Sequence, residues 1–273
     1  MKSTGKQKVF ASATVTAAVF VIWMLWPSGP SYRGNSISRW FYHPGENDAE
    51  AFRAMGQEGV PFLIQRLEDA PSERVKSFWG TLSKTLKEIY RQRKEMWQHR
   101  AAYLLGEMGT AAQSAEAHLT NAARSGDWSL RGAATVALMK IRKEPLDPLI
   151  EKLRDTSDWQ AWYENAMMVG QFGSQAEPAV PILLDALQHT NNIIQAHALI
   201  ALGMIGRQPD KCVPAIVPFL TSPNISDRQK AMGALCAFGT NALPAKQAIQ
   251  GVLSDPDPWV RRKAESAMKT LQR

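Results

Sequence analysis

Five histidines, His43, His99, His118, His189 and His197, are the side chains of this chain best suited to metal or proton chemistry. None stands in an HExxH pattern, and the chain contains no His-Glu dipeptide. Two metal-binding histidines on one helix face need that kind of spacing. Cys212 and Cys236 have no CxxC spacing and no histidine beside them, which argues against a zinc site, a disulfide framework or an activated thiol. GxSxG, GxxxxGK[ST] and GxGxxG are also missing, so neither a nucleophile elbow nor a phosphate-cradling loop is available. The chain is read as non-catalytic, without metal or cofactor. Asn224-Ile225-Ser226 fits a glycosylation sequon but reads more simply as turn chemistry.

Recognition chemistry is better represented. The chain has nine Trp, and Trp97, Trp128, Trp159, Trp162 and Trp259 all fall near the start of an expected helix, just after a turn. Arg131, Arg228 and Arg261 lie at comparable places. Two readings are open for them. Each side chain staples its own turn to the next unit, or together they form an edge of aromatic and guanidinium anchors for a partner. On the second reading Trp128, Arg131, Trp159, Trp162, Arg228 and Arg261 are the candidate protein-binding residues.

A third group is basic. Pro71 to Arg100 carries eight Lys or Arg against three Glu, in a chain whose net charge is +7. Within 72–97, Val75, Phe78, Trp79, Leu82, Leu86, Ile89, Tyr90 and Met96 recur every three or four residues, with Lys76, Lys84, Lys87, Arg91, Arg93 and Lys94 between them. That pattern predicts an amphipathic basic helix. It either packs on the body of the protein, lies on anionic headgroups through Lys84, Lys87, Arg91, Arg93 and Lys94, or contacts an acidic macromolecule.

What positions these groups is an internal repeat. Runs of the type AYLLGEMG, AMMVGQFG, ALIALGMIG and AMGALCAFG end at Gly109, Gly173, Gly206 and Gly239, and the last two intervals are both 33 residues. Arg142 and Gln272 extend the series, and Gly59 stands 50 residues before Gly109, so the first interval holds 50 − 33 = 17 extra residues. Each unit reads as an apolar helix, a short Asp/Ser/Pro/Asn turn, and a second helix rich in Ala and Gly. A helical hairpin of this size cannot bury its own apolar face, and stacking copies does so. The expected fold is therefore all-α, an α-solenoid over 49–273, with the basic helix inserted at about 72–97 and a linker and cap over 27–48. Cys236 falls where Gly170 and Gly203 stand in sister units and reads as a small packing residue.

DPDPWVRRKAESAM from Asp255, DRQKAMGALCAFG from Asp227 and LRGAATVALMKI from Leu130 resemble the HEAT repeat, especially its short form related to phycobilin-lyase repeats. The signature Arg of that repeat falls on Arg131, Arg228 and Arg261, and is replaced by Gln98, Trp162 and Gln195 in other copies. Anchor, YRG opening (Tyr32 to Trp40) and interrupted first repeat also resemble a group of short bacterial HEAT proteins. The resemblance implies the fold, a right-handed superhelix, and says almost nothing of function, since that bacterial group has no assigned activity. The expected function is protein binding, on a concave face formed by second helices. The alternatives it leaves open are a bilin lyase or isomerase activity, or a peripheral anionic-lipid module. HEAT-like deoxyhypusine hydroxylases hold iron through repeated His-Glu pairs, which this chain lacks.

Val9 to Trp26 is uncharged, follows Lys2, Lys6 and Lys8, and ends in prolines. As a helix it would span about 27 Å, close to the hydrocarbon thickness of a bilayer. The expectation is a single-pass anchor including Val9, Phe20, Trp23 and Trp26, with residues 1–8 cytoplasmic and the solenoid outside. Cleavage near Gly29-Pro30-Ser31 and secretion is the rival.

Overall fold

The computed structural model describes residues 30–43, 45, 47–68 and 84–272; the side chains of 84–92 are not part of that description. The basic tail 1–8 and the stretch Val9–Trp26 lie outside the described residues. Among those described, no helix is long and apolar enough to cross a membrane.

A hairpin of two-residue strands, β1 (Ser31–Tyr32) and β2 (Asn35–Ser36), opens the fold, within the stretch 27–48 expected as a linker and cap of an all-α protein. Its central residues Arg33 and Gly34 both have positive φ (48° and 74°), as a tight right-twisted hairpin requires. The Trp40 indole N–H donates to the Tyr32 carbonyl at 3.1 Å, so the YRG…W pattern is a folded cap. Fourteen α-helices follow among the described residues. The first seven are α1 (Ile37–Tyr42), α2 (Asp48–Met55), α3 (Val60–Glu68), α4 (Lys84–Met108), α5 (Glu116–Ala122), α6 (Trp128–Arg142) and α7 (Asp147–Glu151). The rest are α8 (Trp159–Gly170), α9 (Val180–Ala186), α10 (Asn192–Ile205), α11 (Pro209–Ile216), α12 (Ile225–Phe238), α13 (Lys246–Gly251) and α14 (Pro258–Thr270). The even-numbered helices α2 to α14 pack each on the next, and the intervening helices back them as a second layer. The protein is a helical-repeat solenoid.

Sequence explains where the second helices begin. Asp127, Asp158, Asn191, Asn224 and Asp257 are extended residues whose side-chain oxygens accept amide hydrogens of the first turn of α6, α8, α10, α12 and α14. A short acceptor there satisfies amides that have no partner within the helix. These caps recur at intervals of 31, 33, 33 and 33 residues, the same rhythm as the glycines.

At the other end, the residue with positive φ is Gly56, Gly109, Lys143, Gly173, Gly206 or Gly239. Two positions differ from the sequence reading. Arg142 remains helical and Lys143 makes the left-handed exit at φ 56°, ψ 39°. In the first unit the exit is Gly56, whereas Gly59 is buried at the place of Ala112, Ala176 and Ala242. The first interval is thus 109 − 56 = 53 residues, 20 more than 33. Part of the surplus extends α4, which runs unbroken for 25 residues, so the basic segment from Lys84 on continues a repeat helix rather than forming a separate one.

Close approach between second helices depends on small residues. A Cβ on Gly106 would lie 2.9 Å from the Ala137 Cα, and one on Gly203 would lie 2.8 Å from the Ala234 Cα. Cys236 occupies the equivalent position on α12, half-buried, as the repeat register suggested. The α6–α8 seam is different. There the same two positions hold Met139 and Met168. The buried side chains also divide at α6: Ala133, Ala134 and Ala137 belong to an N-terminal group, while Val136 joins a C-terminal one.

Candidate protein-binding ridge

The position four residues after each of the five caps, and the aligned Gln98 within α4, carry an N–H donor. Gln98 donates to Leu67 O (2.8 Å), Arg131 to Ser125 O (3.0 Å), and Trp162 to Leu153 O (2.9 Å). Gln195 donates to Leu187 O (3.1 Å), Arg228 to Ser222 O (3.0 Å), and Arg261 to Asp255 O (2.5 Å). Every acceptor is a backbone carbonyl at the end of the preceding helix or in the turn, where helical partners run out. Gln, Trp and Arg therefore perform one task, closing each hairpin. Sequence reasoning saw the aligned position but read the Gln and Trp as losses of a signature Arg.

This assignment removes most of the expected binding residues from the list. Trp162 is 1% exposed and has its indole N–H committed, so it is a core staple and not a docking anchor. Arg228 forms a two-pronged pair with Asp255 at 2.8 and 3.1 Å and is largely buried. Burial alone would raise the Asp255 carboxyl, but hydrogen bonds from Arg228 and from the Asp257 amide outweigh it and hold it below the usual carboxylate range. Arg131 adds an ion pair to Glu164 on α8 at 2.8 Å. Arg261 also donates to Pro256 O.

Trp128 and Trp159 behave differently. They are the first residues of α6 and α8, and remain 43% and 39% exposed. Ile193 and Ile225, at the starts of α10 and α12, are 38% and 47% exposed. One large apolar side chain thus stands out at the turn edge of four successive repeats. Trp128 also begins an aromatic run across three helices: its ring lies 4.7 Å from Tyr163, which lies 4.2 Å from His197. The His197 Nδ1 meets the Ile193 carbonyl at 2.7 Å, and burial lowers the imidazole pKa below its ordinary value, with Lys230 adding to the effect.

Of the basic candidates, Lys84, Lys87 and Arg91 have side chains outside the described residues. Arg93 is exposed, while Lys94 is half-buried and engaged. Trp97 packs its ring edge-on to Tyr42 at 5.1 Å, joining α4 to the N-terminal cap. Arg100 ties the same parts together through the Phe41 and Trp40 carbonyls and Asp48.

No family model matches the chain, and no curated protein matches it. Solved structures similar to it include human deoxyhypusine hydroxylase in complex with glycerol, at 19% identity over 86% of this chain and 83% of that one, with a TM-score of 0.45. The complex of CpcE and CpcF of phycocyanin lyase from Nostoc sp. PCC7120 is 20% identical over 90% and 98%, at 0.40. A designed armadillo repeat protein in complex with the peptide (KR)4 is 16% identical over 78% and 99%, at 0.43. The likeness goes no further than the general helical-repeat architecture.

Proposed function

We propose that this chain is a non-catalytic protein-binding scaffold, tethered to a membrane by Val9–Trp26, that receives an extended segment of another protein along the turn edge of its second helices. The supporting observation is the row Trp128, Trp159, Ile193 and Ile225. Closing the hairpins uses Gln, Trp and Arg four residues after each cap, and capping uses Asp and Asn, so the fold itself does not require large apolar side chains at these exposed sites. An exposed row of large apolar side chains with aromatic members is characteristic of docking surfaces.

Panning a random peptide display library against the full-length chain in detergent tests the reading. Wild-type protein is expected to select peptides that bind at least tenfold more weakly to a Trp128→Ser/Trp159→Ser variant, measured by calorimetry. Undiminished binding to the variant would refute the assignment of this edge. A visible absorption band on chain purified from its native source would favour bilin chemistry instead.

A further inference from the structure

The position three residues after each second-helix cap is a buried aliphatic in three sister repeats: Leu130 (6% exposed), Ile194 (0%) and Val260 (0%). In the repeat that begins with cap Asn224 the same position is Asp227, itself only 7% exposed. In α8 the position is the exposed Ala161. The fold therefore fills this place with hydrocarbon in α6, α10 and α14, and a carboxylate here costs desolvation that packing does not require. Its side-chain partner is the neutral Ser222 hydroxyl, which donates to Oδ2 at 2.9 Å. Among the described residues no cationic side chain pairs with Asp227; the neighbouring Arg228 is already matched by Asp255.

Asp227 lines a hollow of about 400 Å³ together with Asn192, Gln195, Phe219, Ser222 and Asn224. The Gln195 amide N–H is spent on the Leu187 carbonyl, which leaves its oxygen as an acceptor. Asn192 precedes Ile193 and Asn224 precedes Ile225, so the hollow opens between the last two members of the exposed apolar row. A carboxylate, amide oxygens and one aromatic wall suit a hydrocarbon stem that ends in a positive charge.

We propose that this hollow takes a Lys or Arg side chain of the partner segment and so selects partners with a basic residue at that register. This rests on the ridge being the docking edge, but the pocket is testable apart from it. Butylammonium and butylguanidinium are titrated into ¹⁵N-labelled full-length chain in nonionic detergent, with butanol as the neutral control. Saturable amide shifts centred on Asn192, Gln195, Ser222 and Asp227 are expected for the cations, at least fivefold stronger than for butanol, and lost in Asp227→Asn. The Asn variant keeps the acceptor for Ser222, and its spectrum reports whether it folds. Equal shifts with butanol, no shifts with the cations, or cation shifts that persist in a folded Asp227→Asn overturn the proposal. If peptides still bind the ridge in a Trp128- and Trp159-dependent way, docking stands and only the cation site falls.

Discussion

The indole of Trp162 shows how far a single side chain is defined by its carbonyl partner. Replacing it with Phe keeps an aromatic in the core but leaves Leu153 O without a donor. A loss of about 1–3 kcal/mol is expected, read as a lowered urea midpoint, and an unchanged midpoint would remove the hairpin-closing role. The charged members of the set add a pH dependence. The Asp255 carboxyl is held below its usual range by Arg228 and the Asp257 amide against the opposing effect of burial. A depressed carboxyl pKa contributes stability that is complete above the unfolded value of about 3.9 and is lost as pH falls through the folded value. Urea midpoints should therefore hold from neutral pH to about 5 and fall below about 4. Arg228→Ala is expected to flatten that acid-side fall; an identical slope in both proteins would show that the pair does not carry it.

At the scale of an element, two glycines one helix apart respond in opposite ways to the same change. Gly203→Ala drives a Cβ to 2.8 Å from the Ala234 Cα, backbone that cannot step aside without moving α12. It should destabilise by about 1–3 kcal/mol. A Cβ on Gly233 meets only the Trp259 ring edge at 3.7 Å, ordinary contact. Gly233→Ala should then gain up to about 1 kcal/mol from helix propensity. Thermal or urea unfolding of the two variants decides it, and a shift of the same sign in both would discredit the close-approach argument. Helix-forming tendency alone would rank the two substitutions together.

For the whole molecule, the seam between α6 and α8 sets the behaviour. Where Gly and Ala let α4 approach α6, α8 approach α10 and α10 approach α12, Met139 and Met168 stand, and the buried side chains divide into two groups at α6. Repeat stacks unfold according to the strength of each neighbouring interface. Denaturation is expected in two steps, with amides of 30–142 and 147–272 exchanging as separate units in hydrogen-exchange mass spectrometry. One cooperative transition with uniform protection would show that the seam is as strong as the others.

Much of this was legible in the linear chain. A rhythm of 33 residues, turn residues between apolar helices and small residues on second helices determined the solenoid, because hairpins with one apolar stripe have no other way to bury it. The place of the hairpin-closing donor was visible too, since Gln98, Trp162 and Gln195 aligned with Arg131, Arg228 and Arg261. Their shared purpose was not, because Gln, Trp and Arg resemble one another only as N–H donors, and their acceptors are backbone carbonyls that leave no mark in sequence. For the same reason Trp159 and Trp162, three residues apart and identical in type, could not be told apart until helix α8 turned one outward to the edge and the other into the core.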